Sequence, residues 1–136
     1  MIDSVSKWLV SKLDTAETLE SKCFPTAAPV GDTVPPFAIY TAQKEDVDRD
    51  LNDDDGIRRA KIRLDLFDDD NDRLGELTAQ VQRAVVTRDE EIDALYIYHA
   101  WADLKDAGFD LRMETHVQTL EVSVIYWRDE AWPDGS

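Results

Sequence analysis

The sequence predicts an α+β domain, in which an antiparallel β-sheet of four to five strands carries two packed α-helices in the order α-β-β-α-β-β(-β). Three observations support this class. The chain has 136 residues and 43% hydrophobic residues, enough for one domain that buries about two thirds of its unfolded surface. Two segments repeat apolar residues at helical spacing, and others alternate apolar and polar residues as strands do. We therefore expect one domain over 1–136, with a polar C-terminal tail at 128–136.

The first helix is predicted from Asp3 to Leu19, because apolar residues recur there every three or four positions. The segment that follows, up to Pro36, contains four prolines and one glycine. Proline cannot donate a backbone hydrogen bond, so this segment is expected to be an ordered, extended loop.

Two strands and a second helix follow. Phe37–Glu45 reads as a strand, and Ile57–Phe67 alternates apolar and charged residues cleanly. Between them, 46–56 is expected to form a polar hairpin tip. The second helix is expected to begin after the acidic run 68–72, whose carboxylates suit a helix N-terminus, and to end near Thr87.

The third sheet region is predicted to be a hairpin of Tyr96–Leu104 and Phe109–Val117 around a turn at 105–108. Pairing residues whose numbers add up to 215 separates an apolar face from a polar one, and sums of 213 or 217 do the same. The sum of 215 places His99 opposite His116. Beyond Val117 the apolar residues change to even positions, which predicts a bulge or a break before a final strand.

The charge excludes one broad class of function. There are 30 acidic residues against 15 Lys plus Arg, a formal net charge of −15, so binding to nucleic-acid phosphates is disfavoured. Asp outnumbers Glu by 21 to 9. This excess is typical of proteins hydrated in high salt, where screening removes self-repulsion, and it predicts a halophilic source. An ordinary acidic protein is the alternative.

Cofactor and metal sites are not expected. The single Cys23 cannot form an internal disulfide, and with only His99 and His116 it gives too few ligands for zinc. Neither Asp50 nor Asp68 begins a calcium loop, since Gly and Glu are absent from the sixth and twelfth places. No nucleophile motif or glycine-rich phosphate loop is present, so we expect no enzyme. No segment is apolar enough to cross a membrane and no secretory signal precedes the domain.

Two tryptophans are candidate interface residues. Trp101 falls on the polar side of its strand, and Trp132 lies in the polar tail. Aromatic residues without a place in their own core are enriched at protein interfaces. We expect both to be buried against another subunit, although Trp132 could equally fold back onto its own sheet.

The order of motifs resembles a known family. Phe24-Pro25, the run Pro35-Pro36-Phe37 and the charged strand 59–67 leading into Asp72-Arg73-Leu74-Gly75 are similar to the tail terminator and small minor tail proteins of long-tailed, siphovirus-like viruses. His116 followed by 120–124 resembles the closing strand of that family. With the Asp excess, a haloarchaeal virus is the expected source.

The resemblance implies a structural virion protein of the tail or neck, present in the host cytoplasm during assembly. It implies a homo-oligomeric ring, usually a hexamer, that caps the tail tube and joins it to the head-side connector or stopper protein. It supplies no catalytic residues. DNA would pass through the ring without specific binding. On this reading the subunit, neck or tube contacts are expected at Trp101, Trp132, Asp53, Asp54 and Asp55. The lumen, or a solvated acidic loop, is expected at Asp68, Asp69 and Asp70.

Three alternatives remain open. The protein could be another ring of the neck, such as a stopper or adaptor. It could be an acidic inhibitor that mimics the charge of DNA and occupies a nuclease or repressor. The last alternative is an uncharacterised enzyme.

Overall fold

The computed structural model describes residues 2–14, 23–25, 35–47, 57–92, 95–112 and 114–128. These residues form two helices and six strands, here numbered in chain order. They are α1 (Ile2–Leu13), β1 (Cys23–Pro25), β2 (Phe37–Val47), β3 (Ile57–Asp68), α2 (Asn71–Val85), β4 (Thr87–Ile92), β5 (Leu95–Asp110) and β6 (Thr115–Arg128).

All six strands belong to one mixed sheet in the order β1-β2-β3-β6-β5-β4, curved into a half-barrel. The β1–β2 pair is parallel and the other four pairs are antiparallel. The predicted sheet of four to five antiparallel strands is therefore wrong. Of the described residues, 63% lie in strands, so this part of the chain is mostly β.

Both missed strands lie at the edges of the sheet. β1 is only three residues long, in the segment that its prolines marked as a loop. β4 has the sequence Thr-Arg-Asp-Glu-Glu-Ile, which shows no apolar alternation. Edge strands are often short, charged or proline-containing, since these features prevent pairing with other chains. The same features hide such strands from a search for hydrophobic patterns.

The predicted hairpin register is also wrong. The strands are joined between Asp110 and Thr115 rather than at 105–108, and Trp101 pairs with Ser123 instead of Glu114. His99 lies opposite Ile125, whereas His116 lies opposite Phe109, ten residues further along β5. Ten residues of strand span about 33 Å, so the two histidines cannot share a metal ion.

One face of the sheet, called the inner face below, carries the core. α1 and α2 pack on this face and contact each other. The buried parity of β6 is the predicted one, at Leu120, Val122, Val124 and Tyr126, but β6 is continuous and the irregularity lies in its neighbour β5. α1 matches the start of the predicted first helix, while 15–19 lie outside the described residues.

The edge strand β4 is tied to α1 through Glu90. Its two carboxylate oxygens accept hydrogen bonds from Trp8 Nε1 at 2.7 Å and Lys12 Nζ at 2.8 Å. The Lys12 ammonium is the main reason that the pKa of Glu90 lies below its ordinary value. The helix layer and the far edge of the sheet are thus joined by a charge-assisted contact.

Candidate functional site

Among the described residues, four of the five exposed large apolar side chains lie on β5 or in the turn that follows it. β4 pairs with β5 only as far as Ala100. From Trp101 to Phe109, no other described strand pairs with the side of β5 that faces away from β6. We call Trp101–Phe109 the exposed β5 edge.

Two hydrogen bonds show which backbone groups point outward from this edge. The carbonyl of Ala102 accepts from Gln82 Nε2 at 3.2 Å, and the N–H of Ala107 donates to the side chain of Asp106 at 2.9 Å. In an antiparallel strand, the N–H and C=O of one residue point to the same side. The backbone N–H and C=O groups of Ala102 and Ala107 therefore point away from β6. Those of Leu104 and Phe109, each two residues further along the strand, point the same way.

A register shift between Leu104 and Asp106 determines which side chains of the distal part of β5 lie on the inner face. Without it, the inner face of β5 would continue from Leu104 to Asp106 and Gly108. The extra residue instead brings Ala107 and Phe109 onto that face, opposite Gln118 and His116. The register shift thus places the apolar side chains of Ala107 and Phe109 on the inner face in place of Asp106 and Gly108.

The apolar side chains are open to solvent. Leu104 and Phe109 are each 49% exposed and Leu111 in the turn is 84% exposed. The Phe109 ring meets His116 edge-on at 5.1 Å between centroids. Exposed apolar side chains beside an unpaired strand edge are typical of a protein–protein contact.

Trp101, predicted at an interface, lies on the opposite, outer face of the sheet. It is half-buried, its ring lies 4.6 Å from that of His99, and its Nε1 donates to Asp103 at 3.2 Å. Both helices pack on the inner face, so no described helix covers this tryptophan. Lys61 and Lys105 approach Glu121 nearby at 3.9 and 4.0 Å.

The acidic run before α2 contains three different environments. Asp70 is the N-cap, whose carboxylate accepts from the backbone N–H groups of Asp72 and Arg73. Asp69 is exposed. Asp68 is fully buried and accepts two hydrogen bonds from Arg73, at 2.6 and 2.7 Å. Asp68 is therefore not part of a solvated acidic loop, contrary to the prediction.

The electrostatics agree with a structural role for Asp68. Burial raises its pKa, but hydrogen bonds from Arg73 and from the Asp70 amide outweigh burial and hold the pKa below its ordinary value. The same contacts raise the pKa of Arg73. This carboxylate is committed to its own fold and is not available to line a channel.

Four predicted site residues, Asp53, Asp54, Asp55 and Trp132, lie outside the described residues. Sequence reasoning also missed Leu104, Phe109 and Leu111. The predicted hairpin around 105–108 paired Leu104 with Leu111 on its apolar face, and Phe109 was only the first residue of its second strand. The available signal was Asp110-Leu111-Arg112, a polar stretch that also suits a turn.

The described residues hold no group of three or more His, Cys, Asp or Glu that could bind a metal ion. Burial, assisted by the Asp14 carboxylate, raises the pKa of the Cys23 thiol to about 12, so this thiol is a poor nucleophile. Neither α1 nor α2 is long and apolar enough to cross a membrane.

No protein-family model matches the chain, and no curated protein is similar to it in sequence. Among solved structures, a chain of the "Virion of native gene transfer agent (GTA) particle" is similar, with a TM-score of 0.60 and 14% sequence identity. The match covers 84% of this chain and 83% of that chain. At this identity the likeness shows a shared fold, and it extends over most of both chains.

Proposed function

We propose that this protein is a structural component of a phage-like virion and, more specifically, the ring-forming tail terminator. It would cap the tail tube and join it to the head-side connector or stopper protein. The observation that carries the proposal is the exposed β5 edge, an apolar strand edge suited to contact between subunits. The fold shared with a virion chain supports the same class of function.

The charge of the chain is consistent with this role. A net charge of −15 repels phosphates, so DNA could pass through a ring without being held. Exposed carboxylates such as Asp69 would contribute to that repulsion wherever they face the lumen.

Measuring the mass of the purified protein by light scattering, in dilute buffer and in high salt, tests the ring. We expect a closed oligomer, most simply a hexamer, that is favoured by salt because screening reduces repulsion between acidic subunits. A monomer or dimer at every salt concentration would rule out a ring protein.

A stopper or adaptor ring of the neck is the second candidate, since an exposed strand edge suits any such ring. Purified tail tubes separate the two. A tail terminator should bind the tube end and stop further addition of tube protein, whereas a stopper or adaptor ring should leave elongation unchanged.

We also propose a halophilic source. Unfolding by urea should then become easier as salt is lowered, because the excess carboxylates repel one another more strongly. Equal stability in dilute and concentrated salt would count against this source.

A further inference from the structure

We propose that the exposed β5 edge pairs with the outer edge of β2 in a second copy of this chain, so that neighbouring sheets join strand to strand. The inference rests on the ring proposed above and specifies the contact between its subunits. The argument has three parts: the kind of partner, its identity and its orientation.

The kind of partner follows from the outward backbone groups. Ala102 and Ala107 point away from β6, and the contacts they make there are to the side chains of Gln82 and Asp106. An added strand can replace such contacts with a regular ladder of backbone hydrogen bonds. The exposed side chains of Leu104 and Phe109 would gain apolar neighbours at the same time. The net charge of −15 disfavours nucleic acid at this edge.

The same chain supplies a complementary edge. β1 pairs with β2 only at Ala38, Ile39 and Tyr40. From Thr41 to Val47, the side of β2 facing away from β3 has no partner strand in the part of the chain that the structure describes. This stretch spans about 23 Å and the exposed β5 edge about 30 Å, so one can lie along the other.

The identity of the two edges determines the symmetry. Pairing β5 with β5 of a second copy would bring Asp103 and Asp106 of both chains close together, and like charges facing each other across strands are destabilising. Pairing β5 with β2 joins two different surfaces. Such a head-to-tail contact forms a ring when the rotation between neighbouring subunits closes, as the proposed function requires, and an open filament when it does not.

The orientation follows from rotation about the ring axis. β5 runs parallel to β3, because both are antiparallel to β6, and β2 is antiparallel to β3. A rotation keeps the sense of a strand along the axis, so β2 of the second copy runs antiparallel to β5. Ala42, which is exposed and lies opposite Ile62 on the inner face, would share a face with Leu104, Ala107 and Phe109.

Cysteine cross-linking tests the contact. In a Cys23→Ser background, Ala42→Cys is combined in turn with Leu104→Cys, Ala107→Cys and Phe109→Cys, and each assembled protein is oxidised. Because cross-strand neighbours on one face are close enough for a disulfide, we expect at least one pair to give cross-linked multimers on a non-reducing gel. Ala42→Cys with Arg88→Cys on β4 is the matched control and should give none.

The outcomes separate this inference from the proposed function. Rings that form without cross-links in all three pairs overturn the β5–β2 contact and leave the ring intact. Equal cross-linking in the Arg88 control also overturns the contact. A chain that remains monomeric overturns the ring and the contact together.

A backbone variant gives an independent measurement. Ala107→Pro removes the outward N–H, which is not part of the β5–β6 ladder, and proline is tolerated where the N–H of an edge strand faces outward. We expect a folded protein with the far-ultraviolet circular dichroism of the wild type and no ring. Rings of wild-type stability in Ala107→Pro would contradict the inference.

Discussion

The start of α2 and the exposed β5 edge are both rich in aspartate, yet they satisfy their backbone groups differently. At α2, Asp70 caps two N–H groups and the buried Asp68 is held by Arg73. At the β5 edge, Asp106 caps the N–H of its exposed neighbour Ala107, and the apolar side chains nearby remain in water. One region is complete within the chain, whereas the other is suited to a partner. The acidic residues described in both regions therefore serve local structure, and only the β5 edge leaves apolar side chains exposed beside them.

The largest effect on stability is expected at the start of α2, where the buried Asp68 is paired with Arg73. Asp68→Asn removes the charge that pairs with Arg73 and should lower the free energy of unfolding by about 2–3 kcal/mol, less than for a fully buried pair because Arg73 is half-exposed. Urea unfolding measures the change. Asp69→Asn, at an exposed carboxylate that also contacts Arg73, should cost less than about 0.5 kcal/mol. Equal losses of unfolding free energy in Asp68→Asn and Asp69→Asn would show that the buried carboxylate is no more important than the exposed one.

At the β5 edge, substitutions should change subunit association strongly and the stability of the monomer little. Leu104→Glu with Phe109→Glu should leave monomer stability within about 0.5 kcal/mol, because both side chains are half-exposed. Subunit association should weaken about 30-fold or more, the effect of losing contacts worth about 2 kcal/mol at the centre of an interface. Sedimentation velocity measures association.

Val86→Glu is the matched control for that double variant. Val86 is 57% exposed but lies between α2 and β4, away from the β5 edge. It should assemble as the wild type does. If Val86→Glu weakens association as much as the double variant, added negative charge rather than the β5 edge is responsible.

A smaller effect is expected at the N-cap. Asp70→Ala removes the acceptor for two helix N–H groups and should cost about 1 kcal/mol. Asp72→Asn, in the first turn, loses only its interaction with the helix dipole and should cost a few tenths of that. Thermal unfolding compares the two, and an Asp72→Asn loss as large as that of Asp70→Ala would contradict the capping role.

The free energy of unfolding should depend modestly on pH, and the dependence should come from the paired carboxylates Asp68 and Glu90. The folded-state pKa values of Asp68 and Glu90 lie below their ordinary values of 3.8 and 4.5. Their stabilisation is therefore complete above these values and is lost as pH falls through the lower folded-state pKa values. Urea unfolding from pH 7 down to 3 should show a decline that is flatter in Asp68→Asn. An unchanged slope in that variant would exclude Asp68 as a source.

Sequence patterns predicted the elements that bury a regular face. β2, β3 and α2 begin and end within a few residues of the expected bounds, because their apolar residues alternate or repeat without interruption. β1 and β4 were missed because these edge strands are short or charged and lack the apolar alternation by which a strand is recognised in sequence. The hairpin register was wrong because the turn was predicted at 105–108, which lies inside β5, whereas the two strands are joined between Asp110 and Thr115.

The candidate site was less predictable than the fold. Trp101 was correctly placed on the polar side of its strand, but its contacts with His99 and Asp103 depend on packing that the pattern does not contain. The polar run 68–72 predicts a lumen or a solvated acidic loop at Asp68. Its burial depends on Arg73, one turn into α2, whose guanidinium folds back over it. A pattern of single residues does not reveal such a pairing.

The register shift between Leu104 and Asp106 has an evolutionary consequence. Because the extra residue is taken up by the irregularity, deleting one residue there would restore a regular ladder and leave Ala107 and Phe109 on the inner face, opposite Gln118 and His116. The same deletion in a regular stretch of β5 would turn every following side chain to the other face. Among relatives of this protein, in-frame gains and losses of one codon should therefore be tolerated at this point, with the apolar inner face of β5 inherited unchanged.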